Sequence, residues 1–150
     1  MLVEGLFQFW LPWPPSVNTY WRHPTRGPLA GKHLISEKGR LYRKQVINEM
    51  EKFQTEWQLH EPIENDIVVE IYAFPPDNRR RDLDNILKSL LDSLEHSGLF
   101  LDDNQIISLT VHRGMKVKDG IVYIEMNTYW PAQITYTFDL ALKQVTRTIL

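Results

Sequence analysis

The chain has 150 residues, 43% of them hydrophobic and 24% charged, with a net charge of −2 and no cysteine. That length and composition describe one globular domain with room for a core, and they exclude a disulfide framework and a zinc–thiolate site. No run approaches the length of a membrane-spanning helix, and Glu4 interrupts the N-terminal stretch where a signal peptide needs an apolar core, so the expectation is a cytoplasmic protein with no membrane partner.

In chain order, Gly5 to Leu11 reads as a strand that is apolar on nearly both faces, which predicts a central or covered position. Pro12 ends it, and Pro14-Pro15 holds the next segment extended. Ser16 to Leu34 shows no periodicity and reads as a long loop, which in a compact domain is usually functional. It carries Asn18, Tyr20, Trp21, Arg22, Arg26 and Lys32. Aromatic residues set among cations suit stacking on unpaired bases or contact with a sugar-phosphate backbone; equally, Tyr20 and Trp21 can tuck into the core. Ser36 is a candidate N-cap for a helix reaching about Trp57, with Tyr42, Val46, Met50, Phe53 and Trp57 as its inward stripe. Arg40, Arg43 and Lys44 lie off that stripe, available to a polyanion. Ile67 to Phe74 alternates as a strand, and Pro75-Pro76 closes it.

Next comes DNRRRDLDNILKSLLDSLEHSGLFLDDNQI, residues 77–106. Arg79, Arg80 and Arg81 precede Asp82 and Asp84, and Asp102-Asp103 follows a glycine stop at Gly98. Charge this dense makes a poor core, because unpaired buried charge is expensive. A site for metal ions and phosphates explains it better. Ile86, Leu87, Leu90, Leu91 and Leu94 predict a buried helical stripe, with Asp82 or Asp84 as N-cap. Asp84, Lys88 and Asp92 are spaced i, i+4, i+8 along one polar side, and an Asp–Lys pair at that spacing can be no more than a solvated ion pair. If the carboxylates hold a metal, Mg²⁺ is the natural candidate, since it takes oxygen ligands and is usually held by one or two carboxylates. Asp82, Asp84 and Asp103 are then the ligands, with Asp102 a weaker candidate in a supporting position. Lys88 contacts the phosphate, and Asn85 orients a ligand or caps the helix.

Gln105 to Arg113 alternates as a strand, Asp119-Gly120 signals a hairpin turn, and Ile121 to Thr128 is expected to return as the partner strand. Beyond it, Ile134, Tyr136, Phe138 and Leu140 alternate as one more strand, and ALKQVTRTIL fits either helix or strand. The expected fold is α+β: a mixed sheet of about four strands packed by two main helices. Residues 129–150 are expected to form an extension, either an added strand or a subunit contact. Cations cluster between Arg22 and Lys44, at Arg79 to Arg81 and around Arg113, so the distribution allows a phosphate-binding face despite the net charge.

RRRDLDNILKSLLDSL…SGLFLDDNQI closely resembles the signature of the RusA family of Holliday junction resolvases, R-D-x-D-N-x-x-K, a helix, a glycine, then D-D-x-Q. LPWPPSVNTYWRH resembles that family's opening strand and P-P-S-x-N loop, so the resemblance runs from about Gly5 to about Thr128. It implies a RusA-like endonuclease domain over residues 1–128. It also implies a Mg²⁺-dependent hydrolase that resolves four-way junction DNA by paired symmetric incisions, in recombination and repair. Paired cuts suit a two-fold homodimer. The resemblance assigns catalytic roles to Asp82, Asp84, Asp103 and Lys88, and gives Asn18 a supporting place near the site. Asn18, Arg22, Arg26, Lys32 and Arg79 to Arg81 are the expected DNA contacts. Without the resemblance the residues give only a metal-dependent enzyme acting on phosphate esters. Alternatives are a nuclease for other branched DNA, a non-catalytic DNA-binding relative, or a nucleotide-sugar transferase using D-x-D, for which the chain is short.

Overall fold

The computed structural model describes residues 1–128 and 134–149. The order is β1 (Leu6–Pro12), α1 (Val17–Tyr20), β2 (Trp21–Arg22), β3 (Leu34–Ile35), α2 (Glu37–Glu56), β4 (Ile67–Phe74), α3 (Leu87–His96), β5 (Ile106–Arg113), β6 (Ile121–Asn127), β7 (Ile134–Asp139) and β8 (Gln144–Ile149). Short 3₁₀ turns at Leu83–Ile86 and Asp103–Gln105 bracket α3.

Four strands form the main sheet in the order β1-β6-β4-β5, with β4 and β5 parallel and the other pairs antiparallel. Alternation along each strand puts Phe7, Phe9, Leu11, Val69, Ile71, Ala73, Val122, Ile124 and Met126 on one face. There they share a core with Tyr42, Val46 and Met50 of α2 and Ile86, Leu90 and Leu94 beside or on α3. The mixed sheet under two main helices is the expected α+β fold, and the inward stripes of both helices point as their spacing predicts. Ser36 does cap α2, its hydroxyl accepting from the Gly39 amide at 3.0 Å. The opposite face of the sheet presents Leu6 and Trp10, 46% and 48% exposed, together with Glu70, Tyr72, Tyr123 and Glu125.

Four expectations change. β1 is an edge strand, not a central one, because its second face, Leu6 and Trp10, belongs to the uncovered side of the sheet. Secondly, β5 and β6 are not hairpin partners. Asp119 and Gly120 do adopt the left-handed conformations that the turn requires, at φ 67° and 70°. The connection instead passes the end of β4, where Gly114 and Val117 amides donate to the Ala73 and Pro75 carbonyls, and β6 slots between β1 and β4. Thirdly, residues 16–34 are not wholly a loop, since α1 and the β2–β3 ladder tie down both ends. Tyr20 is fully buried, which decides for the core. A Cβ at Gly39 would meet the Tyr20 ring and carbonyl at 2.8–2.9 Å, so glycine at the start of α2 permits this close approach.

Lastly, α3 begins at Leu87, after a 3₁₀ turn, and neither Asp82 nor Asp84 caps it through a side chain. The ambiguous C-terminal stretch is a strand: β7 and β8 pair as an antiparallel hairpin of their own. Residues 129–133 and 150, part of the expected extension, lie outside the described residues.

Candidate active site

The chain enters the site from β4 through a charge clamp. Asp77 takes both guanidinium amines of Arg81, at 2.5 and 2.9 Å, and the Arg79 amide at 2.9 Å. A bidentate fork of this kind fixes geometry as well as charge. The Arg81 bonds and the Arg79 amide hold the Asp77 carboxyl far below the usual carboxylate range. Arg81 also lies 5.9 Å from the centre of the Trp13 ring, and its carbonyl accepts from Arg113 at 2.6 Å. Of the three arginines proposed to meet DNA, Arg81 is thus built into the scaffold. Arg79 is 83% exposed, with only a 3.7 Å contact to Asp77. Arg80 is exposed and makes no hydrogen bond or ion pair among the described residues. Arg80→Gln is therefore expected to lower the slope of log binding against log salt by about one unit, as one phosphate contact is lost. Filter binding to branched DNA across a salt series reads it, and an unchanged slope removes Arg80 from the interface.

A cleft of about 730 Å³ separates Arg79–Asp82 from the Pro14-Pro15-Ser16 loop, with Asn85 and Ile86 in its lining and Lys38 on its α2 side. That loop is held by Ser89, fully buried on α3, whose hydroxyl donates to the Pro15 carbonyl at 2.6 Å. Asn18 follows on α1, exposed and without a side-chain bond. Arg22, Arg26 and Lys32 are exposed around the 22–33 loop and make no side-chain ion pair among the described residues. Arg43 differs from the expectation for it: it turns inward, donating to the Tyr20 hydroxyl at 2.8 Å.

Asp82 and Asp84 flank the start of the 3₁₀ turn, and both are exposed. Their carboxylate oxygens accept no hydrogen bond among the described residues, so their lone pairs are available to a ligand. Asn85, between them and α3, also has a side chain without a hydrogen bond there. Lys88 does not pair with Asp84. It bonds Asp92 at 2.8 Å, one turn further along α3, and this bond holds the ammonium in its charged form, with Asp103 and Tyr20 adding to the same effect. Lys88 is half exposed, whereas the Asp92 side chain is only 14% exposed. Asp92, Glu95 and Asp103 bring carboxylate oxygens within 4.8 Å of one another; Asp82 and Asp84 are outside that group. Asp92 and Glu95 carry no role in the sequence reading, although Asp92 stands i+4 from Lys88 and that spacing was the available signal.

Asp103 is positioned by its neighbours. Asp102 caps the 3₁₀ turn, its carboxylate accepting from the Asn104 amide at 2.8 Å, so its oxygens already have local work. Gln105 is buried and uses its whole amide. Its oxygen accepts from the Leu101 and Asp102 amides, and its nitrogen donates to the Ile63 and Asn65 carbonyls, all at 2.8–2.9 Å. The loop that carries Asp103 is thereby pinned to the segment leading into β4. Gln105→Ala leaves several buried groups unpaired and is expected to cost about 2–4 kcal/mol, read by urea unfolding. A loss below about 1 kcal/mol means water replaces the amide.

The chain from Arg80 to Asp103 thus carries an arginine without an ion pair among the described residues, two exposed aspartates, and a lysine held by Asp92. A family model described as Endodeoxyribonuclease RusA matches residues 12–127. The chain belongs to the endodeoxyribonuclease RusA family. Among its relatives, the crossover junction endodeoxyribonuclease of Enterobacteria phage HK97 is 44% identical over 120 residues, covering 80% of this chain and 92% of the relative. The RusA proteins named crossover junction endodeoxyribonuclease in Shigella sonnei and Escherichia coli K12 are each 36% identical over 110 residues, covering 73% of this chain and 84% of theirs. The RusA match spans every candidate site residue from Asn18 to Asp103 and ends before β7. The donors gathered here are carboxylate oxygens, with no cysteine anywhere in the chain. Such a set fits a hard divalent cation. No helix among the described residues is long and apolar enough to cross a membrane.

Proposed function

We propose that this RusA-family protein is a Mg²⁺-dependent endodeoxyribonuclease that resolves four-way DNA junctions by paired, symmetric incisions. The observation that supports the reading is the pair Asp82 and Asp84, exposed carboxylates without a hydrogen bond among the described residues, which lie with Lys88 and Asp103 inside the family-matched span. The relatives are crossover junction endodeoxyribonucleases, and that activity suggests the substrate class.

In this reading Asp82, Asp84 and Asp103 hold the ion. An ion held there would supply charge neutralisation at the phosphate and a more acidic water. Lys88 faces the scissile phosphate and stabilises the negative charge that builds in the transition state. Asp92 holds the Lys88 ammonium and is not among the ligands, so the lysine must share its charge between carboxylate and phosphate. Asn85 and Asp102 support the ligand set, Asp102 by shaping the turn. Arg79 and Arg80 grip backbone phosphates at the cleft, while Asn18, Arg22, Arg26 and Lys32 approach the DNA from the N-terminal arm. Arg81 shapes the cleft wall through Asp77.

The nuclease unit occupies residues 1–128, with 129–150 as an extension. Two cuts on opposed strands call for two sites, hence a homodimer acting with DNA in the cytoplasm, in recombination and repair. The decisive measurement compares a labelled four-way junction with linear duplex of the same sequence, at rising Mg²⁺ and with chelator. Paired nicks on the junction alone, abolished by chelator, are expected. Equal cutting of the duplex, or cutting that survives the chelator, overturns the reading.

A further inference from the structure

The β7–β8 hairpin lies beyond the family-matched span and has an unusual surface. Register sets Tyr136 opposite Arg147 and Phe138 opposite Val145, so these four side chains share one face. Thr137 and Thr146 share the other. The ribbon is therefore amphipathic, yet Tyr136, Phe138 and Val145 are 57%, 54% and 65% exposed. An isolated two-stranded ribbon is marginal in water, and it gains stability only by covering such a face.

The open face of the main sheet is the matching surface. It offers Leu6 and Trp10 with Tyr72 and Tyr123, whose rings lie 6.0 Å apart. At its centre Glu70 and Glu125 are direct cross-strand partners, a like-charge pairing that sheets avoid because it is destabilising. Both carboxylates crowd the Tyr72 phenol and, after desolvation, help push its pKa up. His112 bonds Glu70 at 2.6 Å, but Glu125 has no ion-pair partner among the described residues. The apolar face of the ribbon brings one cation, Arg147, and no anion. Two acids make the sheet face a poor seat for DNA.

We infer that the apolar face of the β7–β8 ribbon of one copy docks on the open sheet face of a second copy, with Arg147 over the Glu70–Glu125 pair. The ribbon does not cover its own sheet, since its apolar side chains stay exposed and Trp10 remains half open. A two-fold axis makes the contact twice, ribbon to sheet and sheet to ribbon, which closes the assembly at two copies. The need for two copies rests on the junction-resolving reading; the choice of surface does not.

Charge reversal on the full-length protein tests this. Sedimentation equilibrium in the absence of DNA and metal should show a dimer that Arg147→Glu weakens by about 10-fold or more. Combining it with Glu125→Lys should restore the dimer constant to within about 3-fold. Circular dichroism confirms that both variants fold. A dimer indifferent to Arg147→Glu, or a weakening that Glu125→Lys fails to rescue, overturns the proposal. A monomeric parent whose melting temperature falls with Arg147→Glu and recovers in the double variant, independently of concentration, assigns the ribbon to its own sheet and overturns it too. None of these variants touches Asp82, Asp84, Lys88 or Asp103. Cleavage lost to charge reversal at Arg147 therefore speaks to assembly, whereas failure of the unaltered dimer to cut junctions speaks against the nuclease reading.

Discussion

Asp84→Asn is expected to abolish junction cleavage, by on the order of 10²–10³-fold in rate, while leaving junction binding intact or tighter. The carboxylate is exposed and accepts no hydrogen bond among the described residues, so the amide replaces it without breaking a cap or an ion pair there. Folding stability should stay within about 0.5 kcal/mol of the parent. The lost charge is felt only by a cation at that position and by the DNA backbone. Removing one negative group from a phosphate-binding face reduces repulsion, which strengthens binding at low salt. Asp82→Asn should behave in the same way, since the Asp82 side chain is exposed and makes no hydrogen bond among the described residues either. Single-turnover cleavage in Mg²⁺ and binding in Ca²⁺ separate the two effects. A near-parental rate for either variant means that the ion sits elsewhere, and Asp92, Glu95 and Asp103 become the group to mutate next.

Lys88→Met carries the second large effect. As a half-exposed partner of Asp92 at 2.8 Å, Lys88 contributes only about 0.3–0.5 kcal/mol to stability. As a donor of charge to the transition state, its loss should lower the cleavage rate on the order of 10²-fold or more. Methionine keeps the apolar stem and the helix propensity, so the charge alone is removed. Junction binding in Ca²⁺ should change little, because one phosphate contact among several disappears. Near-parental cleavage with a slightly lower melting temperature would leave Lys88 as a surface ion-pair partner and no more. A collapse in rate at unchanged melting temperature places it at the scissile phosphate.

How far the sequence carries can be judged from particular residues. Both long helices, the β4 limits and the Ser36 cap follow from period and cap chemistry, because these are local and each is reinforced by burial of one stripe. Partnership of strands is not local. The positive φ of Asp119 and Gly120 makes a turn whatever lies next to it, and the sequence cannot show that β4 intervenes between the strands it joins. The position of β1 failed for a related reason: Leu6 and Trp10 look like core residues until the sheet is seen to be covered on one side. At the site, the candidate residues follow from the density of charge, but the pairing does not. Lys88 had carboxylates at i−4 and i+4, and only tertiary packing decides that Asp92, the more buried of the two, takes it. Arg81 likewise looks no different from Arg80 in an arginine run; the Asp77 fork distinguishes them.

The interior place of β6 bears on how the protein is made. β6 is the last strand of the main sheet to be synthesised, yet it bridges β1 and β4, pairing Leu6 with Asn127, near the two ends of the stretch that forms that sheet. Until residues 121–127 clear the ribosome, β1 has no neighbour and one side of β4 is bare. Assembly must wait for contacts of high sequence separation, which is a slow route. A message truncated before Ile121 yields a chain with unpaired apolar strands, the kind of edge on which aggregates grow.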